Sequence, residues 1–194
     1  MKNGKLIVLS APSGTGKTSI CKELLKRNKD WKFSISATTR PKRENEVDGE
    51  DYVFMDVKTF EHNEKFGDFI EWEWVHGNRY GTPIQPIEDS IENGDVMLLD
   101  IDVKGSMSII EEFPDTISIF IEPPGFDNEE KLLILTDRLQ KRSEDQSERL
   151  IKERLKRFEL EMGFKENFKK AYINSDLKKT TDKIEKYIKG EIEK

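Results

Sequence analysis

The chain has 194 residues, enough for one domain with a sizeable core and small insertions. Hydrophobic residues make up 35% and charged residues 37%, but Trp31, Trp72, Trp74 and 11 Phe argue against a disordered chain. The formal net charge of −6 weighs against a nucleic-acid binder working by broad attraction, and leaves room for a small phosphorylated ligand in a local positive pocket.

A single cysteine, Cys21, rules out an internal disulfide and suits a reducing compartment. Met1-Lys2-Asn3-Gly4-Lys5 runs straight into a strand-like stretch, so no secretory leader is expected. No apolar run approaches the roughly 20 residues of a membrane span. These features together lead us to expect a cytoplasmic protein with neither membrane nor nucleic acid as a partner.

Leu6-Ile7-Val8-Leu9 reads as a short buried strand. It leads into Ala11-Pro12-Ser13-Gly14-Thr15-Gly16-Lys17-Thr18 and then a helical pattern that places Cys21 on a buried face. Strand, glycine loop and helix in this order are the context of a phosphate-binding P-loop, although the usual first glycine is here Ala11. Gly14 and Gly16 open backbone angles closed to other residues, so successive N–H groups can converge on phosphate oxygens at a helix N-terminus. Lys17 can place an ammonium on the outer phosphates, and the Thr18 hydroxyl suits a Mg²⁺ ion.

Lys32 to Ser36 alternates like a strand and enters Arg40-Pro41-Lys42-Arg43, an extended loop where two arginines can fork onto one phosphate. Val47 to Phe54 reads as an Asp-Gly turn and a strand, Val57 to Phe66 as a helix, and Phe69 to Val75 as a strand with Glu71 and Glu73 on one face. His76 to Pro83 reads as a loop. His62 and His76 read as surface or structural residues. This strand-rich stretch, about 36–90, interrupts the βα alternation and is expected to be an inserted lobe.

The alternation resumes with a helix over Ile84 to Glu92. A strand over Val96 to Asp102 follows, with Asp100 and Asp102 at the end where open α/β sheets bind ligands. Asp100 is a candidate for Mg²⁺ through water. Further on, Lys104 to Glu112 reads as a helix, Thr116 to Ile121 as a strand and Glu129 to Arg142 as a helix with Arg138 and Arg142 on one face. A polar break at 143–147, a long helix over Glu148 to Asn167, a strand over Ala171 to Asn174 and a helix over Leu177 to Ile192 complete the chain.

Several stretches together resemble guanylate kinase. They are the P-loop opening, Ser36-x-Thr38-Thr39-Arg40-Pro41-x-Arg43, Val47-Asp48-Gly49-x-Asp51-Tyr52, Glu71-Trp72, Gly77-Asn78-x-Tyr80-Gly81-Thr82 and Leu99-Asp100-Ile101-Asp102-Val103-x-Gly105. The resemblance spans nearly the whole chain. It implies an α/β P-loop kinase fold whose central parallel sheet is flanked by helices, with an inserted β-rich nucleotide-monophosphate lobe and a short lid. The core is then 1–35, 91–137 and 148–194, the lobe about 36–90 and the lid about 138–147. The implied reaction is MgATP plus GMP giving ADP plus GDP, with dGMP as a further acceptor, in a monomer or small homo-oligomer.

Carried over by position, Arg40, Arg43, Tyr52 and Tyr80 meet the GMP phosphate, and Ser36, Glu71, Thr82 and Asp102 lie near guanine. Arg138, Arg142 and Arg154 close with Lys17 on the ATP phosphates, which Ala11 to Thr18 cradle, and Asn174 meets adenine. Arg79 stands where the family usually has a second Tyr, Ser143 where it has Gly, and Ser175 where it has Asp. Guanine offers N1–H and an exocyclic amine as adjacent donors for a carboxylate, whereas adenine N1 is an acceptor.

Two alternatives stay open on sequence alone: a non-catalytic guanylate-kinase-like binding module, and a P-loop kinase acting on another phosphorylated acceptor. Lys17 and Thr18 speak against the first. Tyr52, Glu71 and Asp102 together speak against the second.

Overall fold

The computed structural model describes residues 4–75, 77–142 and 156–194. Its central strand is β1, Lys5–Ser10, which pairs in parallel with β7 (Val96–Asp100) on one side and β8 (Ile117–Glu122) on the other. Two outer strands, β2 (Lys32–Phe33) and β9 (Lys170–Ile173), complete a five-stranded parallel sheet of order β2-β7-β1-β8-β9. The pleat of β1 sorts its side chains. Ile7 and Leu9 face α1 (Lys17–Arg27) and α7 (Leu177–Ile192), through Ile20, Leu24, Ile184 and Ile188. Leu6 and Val8 face α3 (Gln85–Asn93) and α4 (Val103–Glu112), through Ile87, Val103 and Ile109. Burial on both faces explains why these strands read as unbroken apolar runs, each buried aliphatic side chain contributing about 1.5–3 kcal/mol. Cys21 lies in this core, and its burial pushes the thiol pKa well up.

A second sheet of order β4-β3-β6-β5 is built by β3 (Ala37–Thr38), β4 (Val53–Phe54), β5 (Phe69–Val75) and β6 (Asn78–Pro83). Here α2 (Val57–Phe66) starts at Asp56, whose carboxylate accepts the Thr59 amide at 2.8 Å, and stops at Gly67 with φ of 76°. Phe60 of α2 is fully buried and stacks on Phe69, with ring centres 4.5 Å apart.

Four expectations are corrected. The strand expected over Lys32 to Ser36 splits: Ser34 still donates to the Leu98 carbonyl, but the Ser36 carbonyl accepts from Val53, so the chain changes sheets between them. The loop expected over His76 to Pro83 is largely β6, because Gly77 at φ 80° reverses the chain and Asn78–Pro83 pairs antiparallel with β5. The strand expected to reach Asp102 ends at Asp100; Asp102 is instead the N-cap of α4, accepting the Lys104 and Gly105 amides at 3.0 and 2.9 Å. The long helix expected to Asn167 is broken. A short α6 (Phe158–Gly163) is followed by a 3-10 turn, Lys165–Asn167, with helix-poor Gly163 at the junction.

Two expected boundaries also meet the structure. α3 straddles residue 90, the expected end of the lobe, and packs on the core sheet through fully buried Ile87. The helix expected from Glu129 is α5 (Asn128–Arg142), so the first residues of the expected lid continue it. The rest of the lid, the start of the long helix and Arg154 lie outside the described residues, as does His76.

Candidate active site

The P-loop joins β1 to α1 at the C-terminal edge of the parallel sheet. Gly14 and Gly16 take φ of 86° and 101°, and Gly16 is the N-cap of α1. A Cβ on Gly16 would fall 2.6 Å from Asn174 Nδ2, so glycine is required for close approach as well as for angle. Lys17 Nζ sits 2.8 Å from Asp100 Oδ1 and also donates to the Ile101 carbonyl. Burial works to strip its proton, but the Asp100 carboxylate outweighs that and the lysine pKa is raised. Thr18 lines a cleft with Ser36, Tyr52 and Asp100, so the two expected Mg²⁺ residues come together.

On the other side of the loop, α5 packs Leu135 and Leu139 against Gly14. Arg138 donates to the carbonyls of Thr15 at 3.3 Å and Asn174 at 3.0 Å. Asn174 Nδ2 donates to the same Thr15 carbonyl at 2.7 Å, while its buried Oδ1 has no partner among the described residues. Arg138 and Asn174 thus buttress the P-loop backbone directly.

The expected phosphate-facing group in the lobe assembles around Arg40. Its Nε donates to the Tyr80 hydroxyl at 3.1 Å, and its guanidinium lies 5.4 Å from the Tyr52 ring centre. Its two terminal nitrogens grip Glu46 at 3.0 and 2.7 Å, a bidentate pair. This hydrogen bonding, with help from the Arg43 amide, holds the Glu46 carboxyl below its ordinary pKa. Arg43 is largely exposed, 3.9 Å from the same carboxylate. Arg79 points the other way. Strand alternation turns it off the Tyr80 face, where it pairs with Glu61 at 2.8 Å and lies 4.9 Å from the Trp74 ring centre. Its side chain therefore lies off the face that carries Tyr80.

The expected base readers sit between lobe and core. Glu71 of β5 accepts the hydroxyl of Thr82 on neighbouring β6, and Thr82 is almost fully buried. Burial pushes the Glu71 carboxyl up to about 7, with Asp102 and Glu73 adding to the rise and the Thr82 hydrogen bond opposing it. Asp102 goes the opposite way. Its burial is outweighed by the hydrogen bond from the Gly105 amide and by the charges of Lys17 and Arg157, so its pKa is lowered. Two neighbouring carboxyls are thus shifted in opposite directions, Glu71 up to about 7 and Asp102 below its ordinary value.

The family model for guanylate kinase matches residues 3–191. The chain belongs to the guanylate kinase family. A guanylate kinase from Chlorobium luteolum is 43% identical over 182 residues, covering 93% of this chain and 89% of that one. One from Clostridium tetani is 38% identical over 191 residues, covering 98% and 88%. The crystal structure of a guanylate kinase from Anaplasma phagocytophilum superposes with a TM-score of 0.77 at 30% identity, covering all of this chain and 89% of that one.

The site also contains residues that the sequence did not single out. Glu46 occupies the Arg40 fork. Glu161 of α6 is 7% exposed and lies near the Ser13 amide of the P-loop. Burial lifts it to about 7, against the pull of Arg157 and that amide. Gly105, quoted only as part of a motif, has a distinct task. A Cβ there would lie 3.0 Å from Glu71 Cδ and 3.2 Å from Oε2. Gly105→Ala is compatible with the helix and even favours it, so the protein should melt no lower. The displaced Glu71 carboxylate should raise KM for GMP about tenfold, with KM for ATP unchanged, as steady-state kinetics would read.

Proposed function

We propose that this enzyme transfers the γ-phosphoryl group of ATP to GMP, giving ADP and GDP, with dGMP as a second acceptor. Membership of the guanylate kinase family carries this reading, together with a P-loop whose Lys17 meets Asp100 and the Glu71–Thr82 pair on the lobe sheet. A GMP phosphate oxygen attacks the γ-phosphorus, the bond from that phosphorus to the β–γ bridging oxygen breaks, and ADP leaves with the electron pair. No general base is required, because a phosphate monoester with second pKa about 6 is already largely dianionic at pH 7.

Ala11 to Thr18 would cradle the ATP phosphates, with Lys17 leaving Asp100 for the outer ones. Arg138, Arg142 and Arg154 would neutralise charge along the transfer path, and Asn174 would border the adenine. Arg40, Arg43, Tyr52 and Tyr80 would hold the GMP phosphate, and Glu71, Asp102, Ser36 and Thr82 the base. Among the described residues no cluster of three or more His, Cys, Asp or Glu offers a metal cage. The donor set present, the Thr18 hydroxyl with Asp100 behind Lys17, fits a Mg²⁺ ion that keeps waters and takes most ligands from phosphate. Bound there, Mg²⁺ would offset charge on the bridging and γ-oxygens. A reducing cytoplasm suits the single buried thiol. Among the described residues no helix is long and apolar enough to cross a membrane.

The decisive experiment is an ADP-release assay with MgATP against GMP, dGMP, AMP, CMP and UMP. GMP and dGMP should turn over and the others should lag far behind. Turnover with none, or equal turnover with all, would remove the reading. The lobe of about 36–90 and the lid of about 138–147 should close when both nucleotides bind, excluding water and completing the arginine set. Small-angle scattering with a bisubstrate analogue should give a smaller radius of gyration than the free enzyme. An unchanged profile would count against closure.

A further inference from the structure

We propose that Glu73 is a positioning residue for base selection, pinning the lobe strand to Lys104 and Arg157 of the core so that Glu71 stands at a set distance from Asp102. The inference rests on the base-reading roles given above to Glu71 and Asp102.

Glu71 and Glu73 lie two apart on β5 and so project from the same face, towards the start of α4. Glu73 Oε1 meets Lys104 Nζ at 3.0 Å, and Glu73 Oε2 meets an Arg157 terminal nitrogen at 3.3 Å. The same Arg157 nitrogen lies 3.4 Å from Asp102 Oδ2, and its Nε lies 4.0 Å from Glu161. One lobe carboxylate is therefore tied to two core cations, and one of those cations holds Asp102. Lys104 follows Asp102 by two residues on α4, as Glu73 follows Glu71 by two on β5. The strand and the helix N-terminus thus face each other as two short rows. Glu73 with Lys104 locks one end, while Glu71 lies against Gly105 at the other.

Trp74 and Leu160 line the same open cleft, so water reaches these ion pairs. With Lys104 56% and Arg157 39% exposed, solvent screens these pairs and their contribution to stability is small. Their leverage is geometric. Base recognition by a carboxylate depends on placement to a fraction of an ångström, and a loosened strand loses that placement without losing its structure.

The test is steady-state kinetics and thermal melting on Glu73→Gln and Lys104→Met, with Glu71→Gln as reference. Glu73→Gln keeps the shape and removes the charge. KM for GMP should rise about five- to tenfold, with kcat, KM for ATP and the melting temperature near wild type. Lys104→Met should show the same split to a smaller degree, and it carries the test should Glu73→Gln fail to fold. Glu73→Gln combined with Lys104→Met should be no worse than Glu73→Gln alone, since the Lys104 link is already cut once Glu73 is replaced. If Glu71→Gln loses GMP while Glu73→Gln does not, the base reading stands and the positioning role is overturned. A parallel fall in kcat, both KM values and melting temperature would make Glu73 merely structural. If Glu71→Gln leaves GMP untouched, the base reading fails and the positioning role fails with it.

Discussion

Lys17→Met should lower kcat by about two to three orders of magnitude, the loss typical of removing one charge-stabilising donor from a transition state. KM for GMP should change little, because Lys17 belongs to the ATP side of the cleft. The ligand-free geometry adds a second expectation. Lys17 neutralises Asp100 at 2.8 Å in a half-buried setting, so the variant leaves that carboxylate without its cation. An unpartnered polar group of this kind costs about 1–3 kcal/mol, and the melting temperature should drop by a few degrees. Circular dichroism separates the two effects, since a native-like spectrum with a modest shift leaves the kinetic loss to chemistry. Near-normal turnover in a folded variant would remove the P-loop from the mechanism.

Glu71→Gln should reduce kcat/KM for GMP by about a hundredfold or more, narrow the gap to AMP and leave ATP binding nearly untouched. Glutamine keeps the shape but turns one acceptor into a donor facing N1–H, leaving buried donors opposed at about 1–3 kcal/mol or more. Sites that read polar edges in this way discriminate by roughly 10⁴. The pH profile is the sharper measurement. Burial holds Glu71 at about 7, and only the ionised form accepts both guanine donors. Below that value the proton must be removed before GMP binds, so wild-type kcat/KM for GMP should fall tenfold per unit as pH drops through 7. In Glu71→Gln this limb should vanish, leaving the decline from GMP phosphate itself, centred near 6. If GMP remains fully preferred and the limb near 7 persists, Glu71 does not read the base.

Much of this site was legible from residue types and spacing. The P-loop announces itself because its chemistry is local: eight consecutive residues supply angle, donors and charge. Glu71 with Thr82, and Arg40 with Tyr80, were expected near one ligand and are joined by hydrogen bonds. Local pattern failed where tertiary pairing overrode it. β6 carries Gly81 and Pro83, which read as loop, yet β3 and β5 pair with it on either side. Asp102 read as the end of an apolar strand because a cap two residues past the last pairing leaves no separate trace in composition. Arg79, which stands where the family usually has a second Tyr, is turned by the pleat to the other face, a direction that its position in the motif did not reveal. The ties of Glu73 had no signal at all, since Arg157 lies 84 positions away.

Glu46 changes what binding means at the phosphate end. In the free enzyme the Arg40 fork already holds two carboxylate oxygens, in the planar geometry that a phosphate would take. If Arg40 takes the GMP phosphate as proposed, arrival of GMP would exchange one anion for another rather than fill a bare cation. Exchange of this kind gives a small net gain for the phosphate alone, because one charge-assisted pair is broken as another forms. Free phosphate or a sugar phosphate gains no more than that swap. Only a ligand that also satisfies the carboxyls at the far end of the cleft gains enough to stay. On the proposed assignment the internal pair would make the phosphate end permissive and leave the decision to the base.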